Sequence, residues 1–282
     1  MKARDALQDA MLSGSPLPVA VIDMHAHAGH YSGFYIPESD GEGMVKVMDS
    51  LGVATLFVSS HCAISSDVRR GNDLTADQVA RFPGRFVGYA VANPHYPHEI
   101  EAELTRCFSV HGMRMIKLHP SIHHVKLTDP AYRPALEFAA RHRAVVLTHT
   151  WEGDATCSPD VAAEAARRYP GVKFVWGHAG APDFDRALEH ARELPNVYLD
   201  LACSLVFEGQ LEHFLERTPV EKVLYASDCP FLAMPQQLAR VVFSELSEAD
   251  KRRILHGNAV RLLSEVGMPL PKVTPAGRAK GA

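Results

Sequence analysis

Eight times along the chain, a short run rich in β-branched and apolar residues ends in a polar or ionisable side chain and gives way to a stretch with helical spacing. The runs cover 20–27, 53–61, 86–93, 113–119, 144–150, 172–178, 197–201 and 223–228, with their ends about 25 to 35 residues apart. Such alternation dictates parallel pairing, because each strand must be carried back to the same end before the next begins. Eight units at this spacing predict a single-domain (β/α)8 TIM barrel. The rival α/β architecture, an open doubly wound sheet, carries a glycine-rich phosphate turn after its first strand. Here that place is taken by His25-Ala26-His27. Residues 1–18 read as an N-terminal extension with a short helix, 19–265 as the barrel, and 266–282, which lacks an apolar period, as a disordered tail.

Composition narrows the function classes. An apolar share of 46% over 282 residues is ample for one large core. A net charge of -4 with scattered basic residues argues against a nucleic-acid surface. Charges interrupt the first residues where a signal peptide needs an apolar run, and no stretch is long enough to cross a bilayer. The five cysteines are odd in number and form no close pair, which points to a reducing, cytoplasmic setting.

In a barrel of this kind, chemistry sits at the carboxyl ends of the strands. The residues placed there are His25 and His27, His61, Asn93, Lys117 and His119, His149, His178, Asp200 or Cys203, and Asp228. His25 and His27 are two apart on a strand and so face one side. Taken singly, each residue has a plainer reading: a hydrogen-bonded rim histidine, a turn-forming Asp228, a surface Lys117. Their convergence on one rim is costly to desolvate unless a cation organises it. His61 and His119 read as substrate contacts rather than ligands. The loop 28–40 carries Tyr31, Phe34 and Tyr35, which either wall a pocket or pack the loop down; Tyr31 is taken as a substrate contact. Cys62, Cys203 and Cys229, without a partner cysteine, read as packing residues.

His-Ala-His on strand 1, Lys117 in IKLHP, His149 in LTHT, His178 in WGHAG, Asp228 in ASDCP and the closing ILHGNAVRLL together resemble the amidohydrolase superfamily. More narrowly, they resemble its amidohydrolase-related branch, which includes aminocarboxymuconate-semialdehyde decarboxylase. The resemblance spans about residues 19 to 265 and implies the same barrel. It implies that His25, His27, His149 and Asp228 hold a divalent metal, most simply zinc. His178 would stand beside the activated water or bind a second ion. Lys117 would bridge two ions if carbamylated, since an unmodified ammonium repels a cation. The first functional expectation is a metal-dependent hydrolase of a small-molecule amide, lactone or ester, with Asp228 and His178 as catalytic groups. The alternative is a metal-dependent non-oxidative decarboxylase of an aromatic or unsaturated acid. It ranks second because it calls for an arginine to hold the carboxylate, which only Arg69 and Arg70 could supply; Arg114 has the wrong parity. A non-enzymatic metal-binding barrel is a third reading, opposed by the presence of Asp228 as a base. The partner is a small molecule, and self-association is left open.

Overall fold

The computed structural model describes residues 3–269. Eight parallel strands pair in sequential order: β1 Val21–Ala28, β2 Val53–Ser60, β3 Phe86–Val91, β4 Met115–Leu118, β5 Val145–His149, β6 Lys173–Gly177, β7 Val197–Asp200 and β8 Val223–Leu224. The chain beyond β8 closes the barrel onto β1, with Met24 N donating to Tyr225 O (3.0 Å) and Asp228 N to His25 O (2.8 Å). The single-domain (β/α)8 barrel is therefore observed. Strand 8 is shorter than expected, ending at Leu224, and Asp228 beyond it leaves the extended region, at φ +59°. Strand 2 also ends early. Ser60 caps the amide of Cys62 and starts a short helix at His61.

Helices return the chain after each strand. Their starts are set by side-chain caps such as Asp40 on Gly43 N, and by Ser158 followed by Pro159 at the first helical position. The return helix Gly41–Leu51 stops at Gly52, whose φ of +81° a side chain tolerates poorly.

Two apolar layers result. One lies between strands and helices. The other fills the barrel, from Ile22, Met24, Phe57, Tyr89, Met115, Val145, Leu147, Val175, Tyr198 and Leu224. Leu262 and Leu263 of the last helix, Asn258–Glu265, plug its base. Val266 and Met268, at the start of the expected tail, also pack there; residues 270–282 lie outside those described.

The inward rows turn polar towards the strand ends: Met115 then Lys117, Leu147 then His149, Tyr198 then Asp200. The period of two places ligand-type residues directly above the apolar floor. Strand β1 departs from it. Ile22 and Met24 pack inwards below, yet His25 and His27 face inwards above, because the register with β2 shifts between Asp23 and Ala26. This bulge inserts the residue that changes parity.

The N-terminal helix Ala6–Leu12 is tied to the final helical run by Asp5, which accepts from the buried Lys251 ammonium at 2.7 Å. All five cysteines are free. Among the described residues no helix is long and apolar enough to cross a membrane.

Candidate metal and substrate site

The carboxyl ends of the strands surround a cavity of about 230 Å³, lined by His25, His27, Tyr31, His61, His119, His149, His178 and Asp228. Ile64, Ser65, Ile122, Trp151, Ser204, Phe231 and Leu232 complete it. Its volume is below the ~300–1,000 Å³ typical of drug-sized ligand sites, which suits a compact small molecule.

Five imidazoles form an arc around the floor. Ring centroids run from His61 to His27 (4.5 Å), His25 (5.1 Å), His178 (5.2 Å) and His149 (4.6 Å). Tyr31 continues one end of the arc, with Phe231 beside it. His119, stacked on His149, and Trp151 continue the other.

Within the arc, one ligand atom each of His25, His27 and Asp228 lies within 4.8 Å of the others. Asp228 Oδ1 is 3.0 Å from His27 Nε2 and 3.6 Å from His25 Nε2. The groups behind the imidazoles set which nitrogen faces inwards. His25 Nδ1–H donates to Asp200 Oδ2 at 2.9 Å, so its Nε2 carries the lone pair. His27 Nδ1 is 3.2 Å from Ser59 O and does the same when it donates there. His178 Nδ1–H donates to Ala202 O at 2.6 Å and leaves its Nε2 open. His25, His178 and Asp200 form a second group of converging ligand atoms. His149 stands outside both groups, but its buried Nδ1 has no partner among the described residues.

Electrostatics match a cation. Burial pushes the His25, His149 and His119 imidazoles well below their ordinary range, so they are neutral donors. Burial pushes the Asp228 carboxyl up, but the His27 hydrogen bond and the nearby His27, His178 and Lys117 charges outweigh it and hold Asp228 ionised. Two imidazoles and a carboxylate, each backed by a fixed hydrogen bond or charge, fit a divalent cation.

Asp228 and His178 both adopt left-handed backbone, at φ +59° and +67°. Such conformations cost on the order of 1–3 kcal/mol in a non-glycine residue and cluster at functional sites. Gly177 makes room. A methyl group there would stand 3.3 Å from His25 Cε1 and 3.2 Å from Thr148 O.

Lys117 lies beneath the cavity, fully buried, with Nζ 2.9 Å from His25 Nε2. Burial lowers its pKa to about 8 against the opposing pull of Asp228 and Asp200. Asn93 does not join the site; with Arg69 it lines a separate cavity near Tyr96 and Glu99. Among the described residues no arginine lines the site cavity, so neither Arg69 nor Arg70 takes the place the decarboxylase reading gave it. Phe34 packs edge-on to Tyr31, whereas Tyr35 is 81% exposed.

Residues 22–264 match the family described as Amidohydrolase. The chain belongs to the amidohydrolase family. It is 25% identical over 285 aligned positions to a gamma-resorcylate decarboxylase of a Polaromonas species, covering 77% of this chain and 85% of that protein. Its fold matches 2,6-dihydroxybenzoate decarboxylase from Rhizobium with a TM-score of 0.69 at 17% identity, covering 88% and 99% of the two chains. It also matches a dihydroxybenzoic acid decarboxylase from Polaromonas, solved with bound manganese and 2-nitroresorcinol, with a TM-score of 0.68 at 20% identity, covering 87% and 97%.

The gamma-resorcylate decarboxylase match corrects the hydrolase expectation. The sequence ranks amide, lactone or ester hydrolysis first because a decarboxylase calls for an arginine that only Arg69 or Arg70 could bring, yet a relative along most of this chain is a decarboxylase. The physical reason is that one donor set activates either a water or a carboxylated ring, so ligands alone do not distinguish the reactions.

Proposed function

We propose that this amidohydrolase is a metal-dependent, non-oxidative decarboxylase of hydroxybenzoate-type acids. The observation that carries the reading is the 25% identity to gamma-resorcylate decarboxylase along most of both chains. The small aromatic-walled cavity above the donor trio supports it.

His25, His27 and Asp228 hold the ion, with His149 Nδ1 and His178 Nε2 as further donors. Zinc suits the imidazoles; the manganese in the Polaromonas decarboxylase structure supports a divalent transition ion more generally. When bound, the ion acts as a Lewis acid towards carboxylate and phenol oxygens.

The rest falls to the chain's own residues. Trp151 and Tyr31 bound the cavity, and with His119 and His61 they contact the ring. Lys117 acts unmodified rather than as a bridging carbamate, supplying the positive charge that an arginine was expected to bring to the carboxylate. Asp228, ionised, takes the phenol proton and returns it to the carboxyl-bearing carbon. The bond to the carboxyl carbon then breaks, carbon dioxide leaves and the ring regains aromaticity. A proton from solvent, relayed by His178, restores the phenol. The net change is loss of one CO2 and uptake of one proton.

The test is to incubate the metal-loaded protein with 2,6-dihydroxybenzoate and follow resorcinol and carbon dioxide. Stoichiometric release that a chelator abolishes is expected. No release from any monohydroxy- or dihydroxybenzoate would refute the reading.

A further inference from the structure

The cavity wall contains a buried acceptor with nothing to accept. His61 opens the helix His61–Ser65 and is 6% exposed. Its Nδ1 lies 3.2 Å from Gly29 O. A carbonyl only accepts, so Nδ1 carries a proton. The ring is stacked on His27 at 4.5 Å and 25°, with Tyr31 at 5.3 Å. No carboxylate pairs with it among the described residues; burial above all disfavours a positive charge on the ring, and His27 and Lys117 add to that against the weaker opposing pulls of the Gly29 hydrogen bond and Asp228. The neutral ring therefore points a bare Nε2 lone pair away from Gly29. That atom is closed to bulk water and has no partner among the described residues. It belongs to neither group of converging ligand atoms, and its ring stands at the opposite end of the arc from His178 and His149. Buried acceptors left unmet are costly and rare, and those at binding sites are met by the ligand.

We propose that His61 Nε2 accepts a hydrogen bond from a second ring hydroxyl of the substrate, making His61 the residue that selects rings with a free hydroxyl on both sides of the carboxylate, one for Asp228 and one for His61. The inference rests on the decarboxylase reading and deepens it. His61 stacks on His27, a donor for the ion, so a hydroxyl that reaches Nε2 stands beside the metal site that takes the carboxylate. A methoxy group at that position brings only an acceptor and sets lone pair against lone pair. A hydrogen adds nothing. A site built around an acceptor discriminates strongly against analogues lacking the donor, because the buried atom then stays unpaired.

The experiment measures binding rather than turnover. Dissociation constants are determined on the metal-loaded protein for 2,6-dihydroxybenzoate, 2-hydroxy-6-methoxybenzoate and 2-hydroxybenzoate. Wild type is expected to bind the dihydroxy acid about tenfold tighter than either analogue, the worth of one well-made buried hydrogen bond. In His61→Leu the three constants should converge. In His61→Gln, whose amide oxygen restores an acceptor, part of the gap should return. Equal binding of the three acids by wild type overturns the proposal, as does a gap that survives in His61→Leu, and both leave the decarboxylase reading standing. Failure of wild type to bind any of the acids sinks that reading and this proposal with it. Measurable binding with the gap present but no carbon dioxide release keeps the His61 assignment and refutes the reaction alone.

Discussion

Asp200 sends no atom into the cavity, yet its replacement by asparagine should cost the protein its metal. Its Oδ1 accepts the amides of His178 (2.9 Å) and Ala202 (3.1 Å), and its Oδ2 accepts His25 Nδ1–H (2.9 Å). Asparagine offers one acceptor where the carboxylate offers two. Keeping that oxygen on the two amides turns the NH2 group towards His25 Nδ1–H, donor against donor. The imidazole relieves this by moving its proton to Nε2, and the nitrogen that faces His27 and Asp228 then has no lone pair to give. Turning the amide over rescues His25 but leaves two backbone N–H groups facing an NH2, a balance worse by one hydrogen bond, or roughly 1 kcal/mol. The first arrangement also turns the new Nε2–H towards the Lys117 ammonium, 2.9 Å from that nitrogen, so both arrangements disturb the donor set. Losing the partner behind a ligating histidine weakens metal affinity by ~10–100-fold, about 1.4–2.8 kcal/mol. Chelator competition near neutral pH reads this directly, with circular dichroism reporting that the barrel persists. Metal affinity in folded Asp200→Asn within about threefold of wild type would refute the tautomer reasoning.

Metal analysis of the purified protein should find one ion per chain, and Lys117→Met should keep that ion while weakening binding of hydroxybenzoates; two ions with a carbamylated Lys117 would overturn its role as a cationic contact. A second prediction concerns acid stability and His123, whose Nε2–H donates to Ile64 O (3.0 Å) while its Nδ1 accepts from Tyr132 Oη (2.8 Å). Burial lowers its pKa to about 4, so between about 6.5 and 4 the unfolded chain binds the proton first; stability is intact above about 6.5 and falls as the pH drops, by up to ~1.4 kcal/mol per unit. Urea melts across that range should show a slope shallower by about one proton in His123→Gln, and an unchanged slope would count against it.

The barrel was readable because its strands are β-branched runs at regular spacing, each ended by a residue too polar for the apolar floor. The inward pair Lys117 and His119 followed from parity alone, and both occupy the expected side. What the sequence hid was registry and distance. Nothing in the string marks the bulge at Asp23–Ala26, and Asp23 itself, whose Oδ1 accepts from both His25 N (3.1 Å) and Ser227 N (3.0 Å), looked like an ordinary strand residue. Asp200 stood out only as a rim candidate; its three N–H partners come from elements 22 and 175 residues away as well as from next door. Trp151, Phe231 and Leu232 enter the cavity from loops that have no periodicity to read. Arg69 and Arg70 seemed close because they follow strand 2, but the intervening helix His61–Ser65 leads the chain away.

The change of parity in β1 also bears on how such a site is gained or lost. Below the bulge the strand obeys the packing of the floor, and above it the strand obeys the metal, with one extra residue separating the two demands. Removing that residue would leave strand length and hydrophobicity almost untouched while rotating both imidazoles out among the surrounding helices. In a barrel lacking the bulge the inward positions above Met24 would be those of Ala26 and Ala28, so a histidine pair kept at 25 and 27 would face the helices. The inserted residue separates two otherwise similar barrels, one able to grip a cation and one not, by an insertion rather than by any change of side chain. Sequence comparisons that score this strand without allowing a gap would place the His-Ala-His pair on the wrong face.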